Sequence, residues 1–224
     1  TIRPDHPLRK MVREEIRRCA NGIDVQYRQS LAIVENLGTQ INTEGDEFAP
    51  IPSRNQADKL YFSSIRYGNT GGARDDQNNF DDRFGDFLSD MFSCKVTKGQ
   101  WANAAPMHYF LNSPQHEVLL DFNKEGSVMY YFKGWDLDRG QIVIDTFKTY
   151  NNRNLSSTPF ISPMDVANGD QNLFIHNDTL LVFSSRRAGG NGGYDLYQSS
   201  FRNGYWTPAK NMGSEINSAY DETH

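Results

Sequence analysis

Cysteine is scarce in this 224-residue chain, which carries only Cys19 and Cys94. Two isolated thiols exclude a disulfide-stapled scaffold, and their spacing is not that of a metal site. They read as two separate buried thiols; a bond between them would require Cα atoms within about 7 Å. Long apolar runs are missing as well, and no stretch of about 18 apolar residues is available to span a bilayer. Positive charge is not in surplus: 23 Lys and Arg stand against 28 Asp and Glu, a net charge of −5. That balance argues against nucleic acid as the main partner, because a phosphate backbone requires a basic face.

Catalytic signatures are lacking too. The five histidines (His6, His108, His116, His176 and His224) lie in no Gly-x-Ser-x-Gly elbow and no His-Glu-x-x-His pair. Gly189-Gly-Asn-Gly-Gly193 is glycine-rich, but it lacks the Lys-Ser/Thr ending of a phosphate loop and leads into a strand. The Trp101 and Trp206 turns lack the serine and aspartate of sialidase-type turns. The expectation is a protein that is not an enzyme and carries no cofactor.

What the chain does have is self-similarity. Residues 90–117 align without a gap on residues 195–222, at an offset of 105. Asp90, Gly99, Trp101, Met107, Asn112, Ser113 and Glu117 fall on Asp195, Gly204, Trp206, Met212, Asn217, Ser218 and Glu222. A third copy of the closing turn, residues 36–47, matches 211–222 at an offset of 175. Leu60-Tyr-Phe62 matches Tyr130-Tyr-Phe132 at an offset of 70, which also relates Asn42 to Asn112. Within one unit, Leu180–Ser184 and Leu196–Phe201 read as strands. Gly189, Gly190, Gly192 and Gly193 form the turn between them and tolerate positive φ. Repeats of alternating strands with a tryptophan and a polar closing turn predict an all-β fold, a β-propeller of four-stranded blades. Trp101 and Trp206 are expected to be equally buried between neighbouring blades. The chain ends on Ile216-Asn-Ser-Ala-Tyr-Asp-Glu222, the sequence that elsewhere opens a unit, so an incomplete ring is expected.

Ahead of the repeats, residues 1–30 predict a short α-helix and connector. Asp5 suits the cap, Pro7 the first turn and Gly22 the stop. Leu8, Met11, Val12, Ile16 and Cys19 make its apolar stripe, and Ile23–Tyr27 alternates as a short strand would. Residues 31–224 form the blades. Between them Arg66–Ser89 is a long insertion with Asp75, Asp76, Asp81, Asp82 and Asp86, oxygen ligands of the kind calcium uses but without the spacing of a calcium loop. Arg66, Arg186 and Arg187 follow the Phe-Ser-Ser strands. They offer two readings: a rim of guanidiniums for a partner's carboxylates, or pairing with Asp90 or Asp195 within the fold. The second is preferred for Arg186, and Arg187 stays open. Asp46, Glu47, Asp221 and Glu222 are expected to accept backbone hydrogen bonds in the closing turns.

The repeats resemble the TolB-like, WD40-like β-propeller repeats of Bacteroidetes outer-membrane proteins. The likeness rests on Glu35-Asn-Leu-Gly38 with Ile41-Asn42, Leu60–Ser64, Phe183-Ser-Ser-Arg186, Gly189–Tyr197 and Trp206-Thr-Pro with Ile216-Asn-Ser. It implies a periplasmic, outer-membrane-associated module of OmpA-family lipoproteins of the type IX secretion system. In such proteins a tetratricopeptide domain precedes the propeller and an OmpA-like domain follows it. It implies a protein-binding scaffold whose partners are other envelope or secretion-complex proteins, with peptidoglycan bound only through domains absent from this chain. The rival reading is a glycan-binding or hydrolytic propeller, its site in the central channel or in the insertion, with sugar stacked on Trp135, Tyr130 or Trp101.

Overall fold

The structure, a computed structural model, describes residues 7–26, 34–77, 79–81, 83, 85–136, 139–146, 149–150, 153–154 and 157–223. The chain divides into two units, Thr1–Asn36 and Leu37–His224.

The first unit holds one helix, α1 (Pro7–Gln26). It runs past Gly22, the expected stop, and through most of the stretch expected as a strand. A single interior glycine costs only about 1 kcal/mol. The apolar stripe Leu8, Val12, Ile16 and Cys19 continues at helical spacing to Ile23, so periodicity outweighs the break. Asp5 and Tyr27 lie outside the described residues. No described helix is long and apolar enough to cross a membrane.

The second unit is built from antiparallel sheets in chain order. Sheet one contains β1 (Asp46–Pro52), β2 (Lys59–Ile65) and β3 (Asp90–Thr97), with β4 (Gln100–Trp101) and β5 (Ala105–Pro106) both pairing with β3. Sheet two contains β6 (His116–Phe122), β7 (Met129–Gly134) and β8 (Gly140–Asp145). A small hairpin, β9 (Thr149–Tyr150) with β10 (Arg153–Asn154), precedes β11 (Thr158–Pro159), which completes the second sheet beside β8. Sheet three repeats the first: β12 (Gln171–His176), β13 (Leu180–Ser185) and β14 (Asp195–Arg202), with β15 (Tyr205–Trp206) and β16 (Lys210–Asn211) both on β14.

Alternation along the strands sends side chains to two different cores. Tyr61 and Met91 of sheet one meet Leu119, Met129, Tyr131 and Val143 of sheet two. The intervening Tyr130 and Ile142 face the other way and meet Leu173, Ile175, Leu181, Phe183 and Tyr197 of sheet three. Sheet two is therefore covered on both faces, which explains why Met129-Tyr-Tyr-Phe132 is unbroken aromatic and apolar sequence. Leu60, Phe62, Phe92 and Cys94, on the far face of sheet one, are closed over by Ile41, Leu37 and Trp101. The first strand of sheet two, β6, packs against β1, β2 and β3 on one side and against β12 on the other.

Two tight turns show the repeat in the backbone. Lys98 and Gly99 have φ of 53° and 78°, and Asn203 and Gly204 have 54° and 85°. Consecutive positive φ values define the two-residue hairpin that matches strand twist. The Gly189–Gly193 loop works differently from expectation, since only Gly189 has positive φ there. At Gly190 a Cβ would fall on the Asp195 carboxylate, and at Gly193 on that of Asp221. These two glycines are needed for close approach rather than for backbone twist.

Candidate binding cleft

The repeated polar residues turn inward and hold the sheets. Asn112 accepts the Met91 N–H at 2.9 Å and donates to the Met91 carbonyl at 3.0 Å. Asn217 does the same to Leu196, at 2.8 and 3.0 Å. Asn42, Asn112 and Asn217 each close a turn through their own N–H, onto the carbonyls of Gly38, His108 and Gly213. One residue further on, a hydroxyl and an N–H grip a glutamate four positions ahead. Thr43 donates both to Glu47 (2.7 and 3.0 Å) and Ser113 both to Glu117 (2.5 and 3.0 Å). Ser218 donates both to Glu222. Asp90 and Asp195 tie down the loops before β3 and β14. Asp90 accepts from the Thr70 N–H and hydroxyl, each at 2.9 Å, and Asp195 accepts from the Asn191 N–H at 2.7 Å. Asp221 accepts the Tyr194 N–H at 2.8 Å.

The arginines are committed within their own sheets. Arg66 donates to the Ser64 hydroxyl, the Ile41 carbonyl and Glu47, and its guanidinium lies over Phe92, 4.3 Å from the ring centre. Arg187 donates to the Ser185 hydroxyl, the Pro163 carbonyl and Asp170, and lies over Phe183 and Tyr197. The charge of each is matched internally. Arg186 stacks on Tyr194, 4.9 Å from the ring centre.

The acidic insertion is likewise occupied with itself. Asp75 accepts the N–H groups of Gln77 and Asn79, and Asp81 pairs with Arg83; these bonds hold both carboxyls below their ordinary range. Asp76 is exposed, and Asp82 lies outside the described residues. Among the described residues, no group of three or more His, Cys, Asp or Glu side chains is placed to hold a metal ion. The insertion's base is firm: buried Asn69 donates to the carbonyls of Ser64 and Leu88 at 2.6 and 2.8 Å. Both thiols are free, Cys19 exposed and Cys94 buried.

Trp101 and Trp206 are each only half-buried. Trp101 packs on the far face of sheet one. Trp206 reaches the adjoining sheet two, its ring 6.1 Å from that of Phe160. The expected equivalence holds in position but not in neighbours.

Two cavities open at one end of the sheets, where β1, β6 and β12 begin and β2 and β7 end. Trp135 is 50 % exposed there and borders both. The smaller, of about 390 Å³, lies between sheets two and three over an apolar floor of Val118, Leu120, Phe132 and Ile142. Its polar lining includes His116 and Asp170. The larger, of about 910 Å³, lies between sheets one and two beneath Tyr67, which is 79 % exposed. Tyr67 is propped by Phe80 and Phe87, whose rings stack 5.1 Å apart. His116 lines both cavities. Its Nδ1 accepts the Ser89 N–H at 3.0 Å, so the proton of a neutral ring sits on Nε2. Burial pushes the imidazole below its ordinary value, against the opposing pull of Asp136, and so favours that neutral form.

Sequence reasoning placed Trp135 only in the rival reading and missed His116 and Asp170 as site residues. His116 falls on Asp221 within the repeat and Asp170 holds Arg187 as Glu47 holds Arg66, so the signal that could have found them is a change of residue type at a repeated place. Compared with known proteins, the chain matches no family model, and no curated protein is significantly similar to it.

Proposed function

We propose that this chain is a non-catalytic, protein-binding β-propeller segment. Its place is the bacterial periplasm, as part of an outer-membrane-associated secretion complex of the type IX kind. The propeller reading is supported by three consecutive antiparallel sheets stacked face to face, with the same polar bracket before the first, before the second and after the third. The cellular setting follows from the repeat resemblance.

One observation carries the binding reading. The polar groups that recur are spent on the fold, whereas the exposed aromatics Trp135 and Tyr67 surround paired cavities with an apolar floor. A concave apolar surface with a few convergent polar groups is the usual form of a binding site, and aromatic anchors dominate protein recognition. A glycan stacked on Trp135 is the second reading. His116, Asp136, Gln171 and Asn172 in the lining of the smaller cavity could meet ring hydroxyls, but its floor of Val118, Leu120, Phe132 and Ile142 suits an apolar side chain better and ranks the glycan lower.

A photo-crosslinking residue at position 135, introduced in the producing cell, tests this. The expected product is a discrete adduct with an envelope protein, absent when the residue is moved to Tyr205, which is exposed on the β14–β15 hairpin. Equal adducts from both positions, or only glycan adducts from position 135, would contradict it.

A further inference from the structure

We infer that the partner segment taken up at the Trp135 cleft is rich in arginine, and that the exposed turn His108-Tyr109-Phe110 is a second anchor for it. This rests on the reading of the cleft as a polypeptide-binding site and adds the partner's chemistry and a further contact.

The turn is one of three copies. His108-Tyr109-Phe110 aligns with Gly38-Thr39-Gln40 at an offset of 70 and with Gly213-Ser214-Glu215 at an offset of 105. Each copy is closed by the same pair of backbone bonds. Ile41 and Asn42 donate to the Gly38 carbonyl, Leu111 and Asn112 to that of His108, and Ile216 and Asn217 to that of Gly213. Two copies make the turn with small or polar residues, so the fold does not require aromatics there. The middle copy nevertheless exposes them, Tyr109 at 70 % and Phe110 at 51 %. They are ordered in advance of any ligand. The His108 ring centre lies 4.2 Å from Tyr109 and 4.8 Å from Phe110, and the Phe110 N–H donates to His108 Nδ1. The turn leads into β6, at the end of the sheets where the cleft opens. Just past it the Pro114 backbone packs so closely on Gly71, in the insertion that props Tyr67, that a Cβ there would collide.

Charge at this end selects the partner. Its cations are spent on internal carboxylates, Arg66 on Glu47 and Arg187 on Asp170. The exposed Glu44, Asp46 and Asp86, on the rim of the larger cavity, have no ion pair among the described residues. A basic segment complements that rim, and an exposed aromatic face attracts a cation laid over it. Arginine answers both features, because its planar guanidinium stacks on rings and forks onto carboxylates. The compact ammonium of lysine does less of either.

The test titrates the purified chain with capped peptides that alternate glycine with arginine, with its neutral isostere citrulline, or with lysine. NMR follows the Trp135 indole and the Tyr109 and Phe110 rings. The arginine peptide should move all three and bind about tenfold tighter than the citrulline peptide, by a margin that shrinks with salt. The lysine peptide should fall between them. Tyr109→Thr with Phe110→Gln, the residues of the first copy, should weaken the arginine peptide about fivefold and leave the melting midpoint unchanged. Should that variant melt early, the ring shifts of the parent decide. Equal binding of the arginine peptide and either of the others, shifts at Trp135 alone, or a double variant that binds as the parent does would overturn the inference and leave the polypeptide-binding reading standing. Adsorption of the turn to phosphatidylcholine vesicles, with no response to peptide, would overturn it in favour of a membrane contact. Binding of no peptide up to millimolar concentration would overturn the inference, and the crosslink at position 135 would then judge the broader reading.

Discussion

The Asn217 side chain clamps both backbone polar groups of Leu196, accepting its N–H at 2.8 Å and donating to its carbonyl at 3.0 Å. It thereby bonds the strand β14 as a neighbouring strand would, but from a turn. Replacing it with alanine leaves a donor and an acceptor unmet in a largely closed site. Asn217→Ala should lower unfolding free energy by about 2–4 kcal/mol, and Asn112→Ala by a similar amount. Urea titrations check this; a loss under about 0.5 kcal/mol would place both side chains among ordinary surface residues.

Glu47 and Glu117 hold the same bracket in different surroundings, and they should respond oppositely to pH. Burial pushes Glu117 from 4.5 up to about 7, with the Ser113 bonds and Lys133, 3.5 Å away, only partly opposing it. Between those values the unfolded chain ionises while the folded chain keeps its proton, so this group's contribution falls as pH rises. Glu117→Gln should flatten that decline.

At Glu47 burial also raises the carboxyl. The Thr43 bonds, the Ser64 hydroxyl and Arg66 outweigh it and leave the group below its ordinary value. Its contribution is present above the unfolded pKa and is lost as pH falls through the folded one. Glu47→Gln should therefore destabilise at neutral pH and lose its effect in acid. Parallel pH–stability curves for both variants and the parent would contradict this pair of assignments.

Trp206 is half-buried against Phe201 and Phe160. Trp206→Ala should cost about 2 kcal/mol, short of the roughly 3–5 kcal/mol of a fully enclosed aromatic. A denaturant midpoint equal to the parent's would show that the contact with sheet two contributes nothing.

Gly190→Ala should be strongly destabilising although the glycine has no positive φ, because the added methyl meets the Asp195 carboxylate. Gly189, with φ of 93° and open space at its Cβ position, should pay only the backbone strain. Comparing the melting points of the two alanine variants separates the effects.

Much of this architecture was legible in the sequence because it repeats. The Asn-Ser/Thr-x-x-x-Glu spacing that aligned 36–47, 106–117 and 211–222 is the spacing of the bonds themselves, so matching letters meant matching contacts. The C-terminal end of α1 was misjudged because Gly22 is a local signal and the apolar stripe a longer one, whereas Pro7 stands in the first turn as expected. Arg187's partner was not legible by matching letters, since the place that Asp170 takes beside Arg187 is taken by Glu47 beside Arg66 in sheet one. The cleft was hidden for a related reason. Trp135, His116 and Asp170 come from strand ends of two sheets, and only the folded sheets bring them to one edge. The arrangement of α1 as the end of a preceding helical domain remains a proposal from resemblance.

The central claim is a division of labour: recurring residues build the sheets, and the unrepeated aromatics at the cleft bind. The most direct measurement is the yield of the position-specific partner crosslink from Tyr67, compared between the parent, Trp135→Ala and Asn217→Ala, with each variant's melting midpoint recorded alongside. Trp135→Ala should lose the crosslink while its stability stays within about 0.5 kcal/mol of the parent. Asn217→Ala should lose stability and, at temperatures where it is folded, keep the crosslink. A Trp135→Ala protein that crosslinks like the parent, or that loses stability as Asn217→Ala does, would contradict the account.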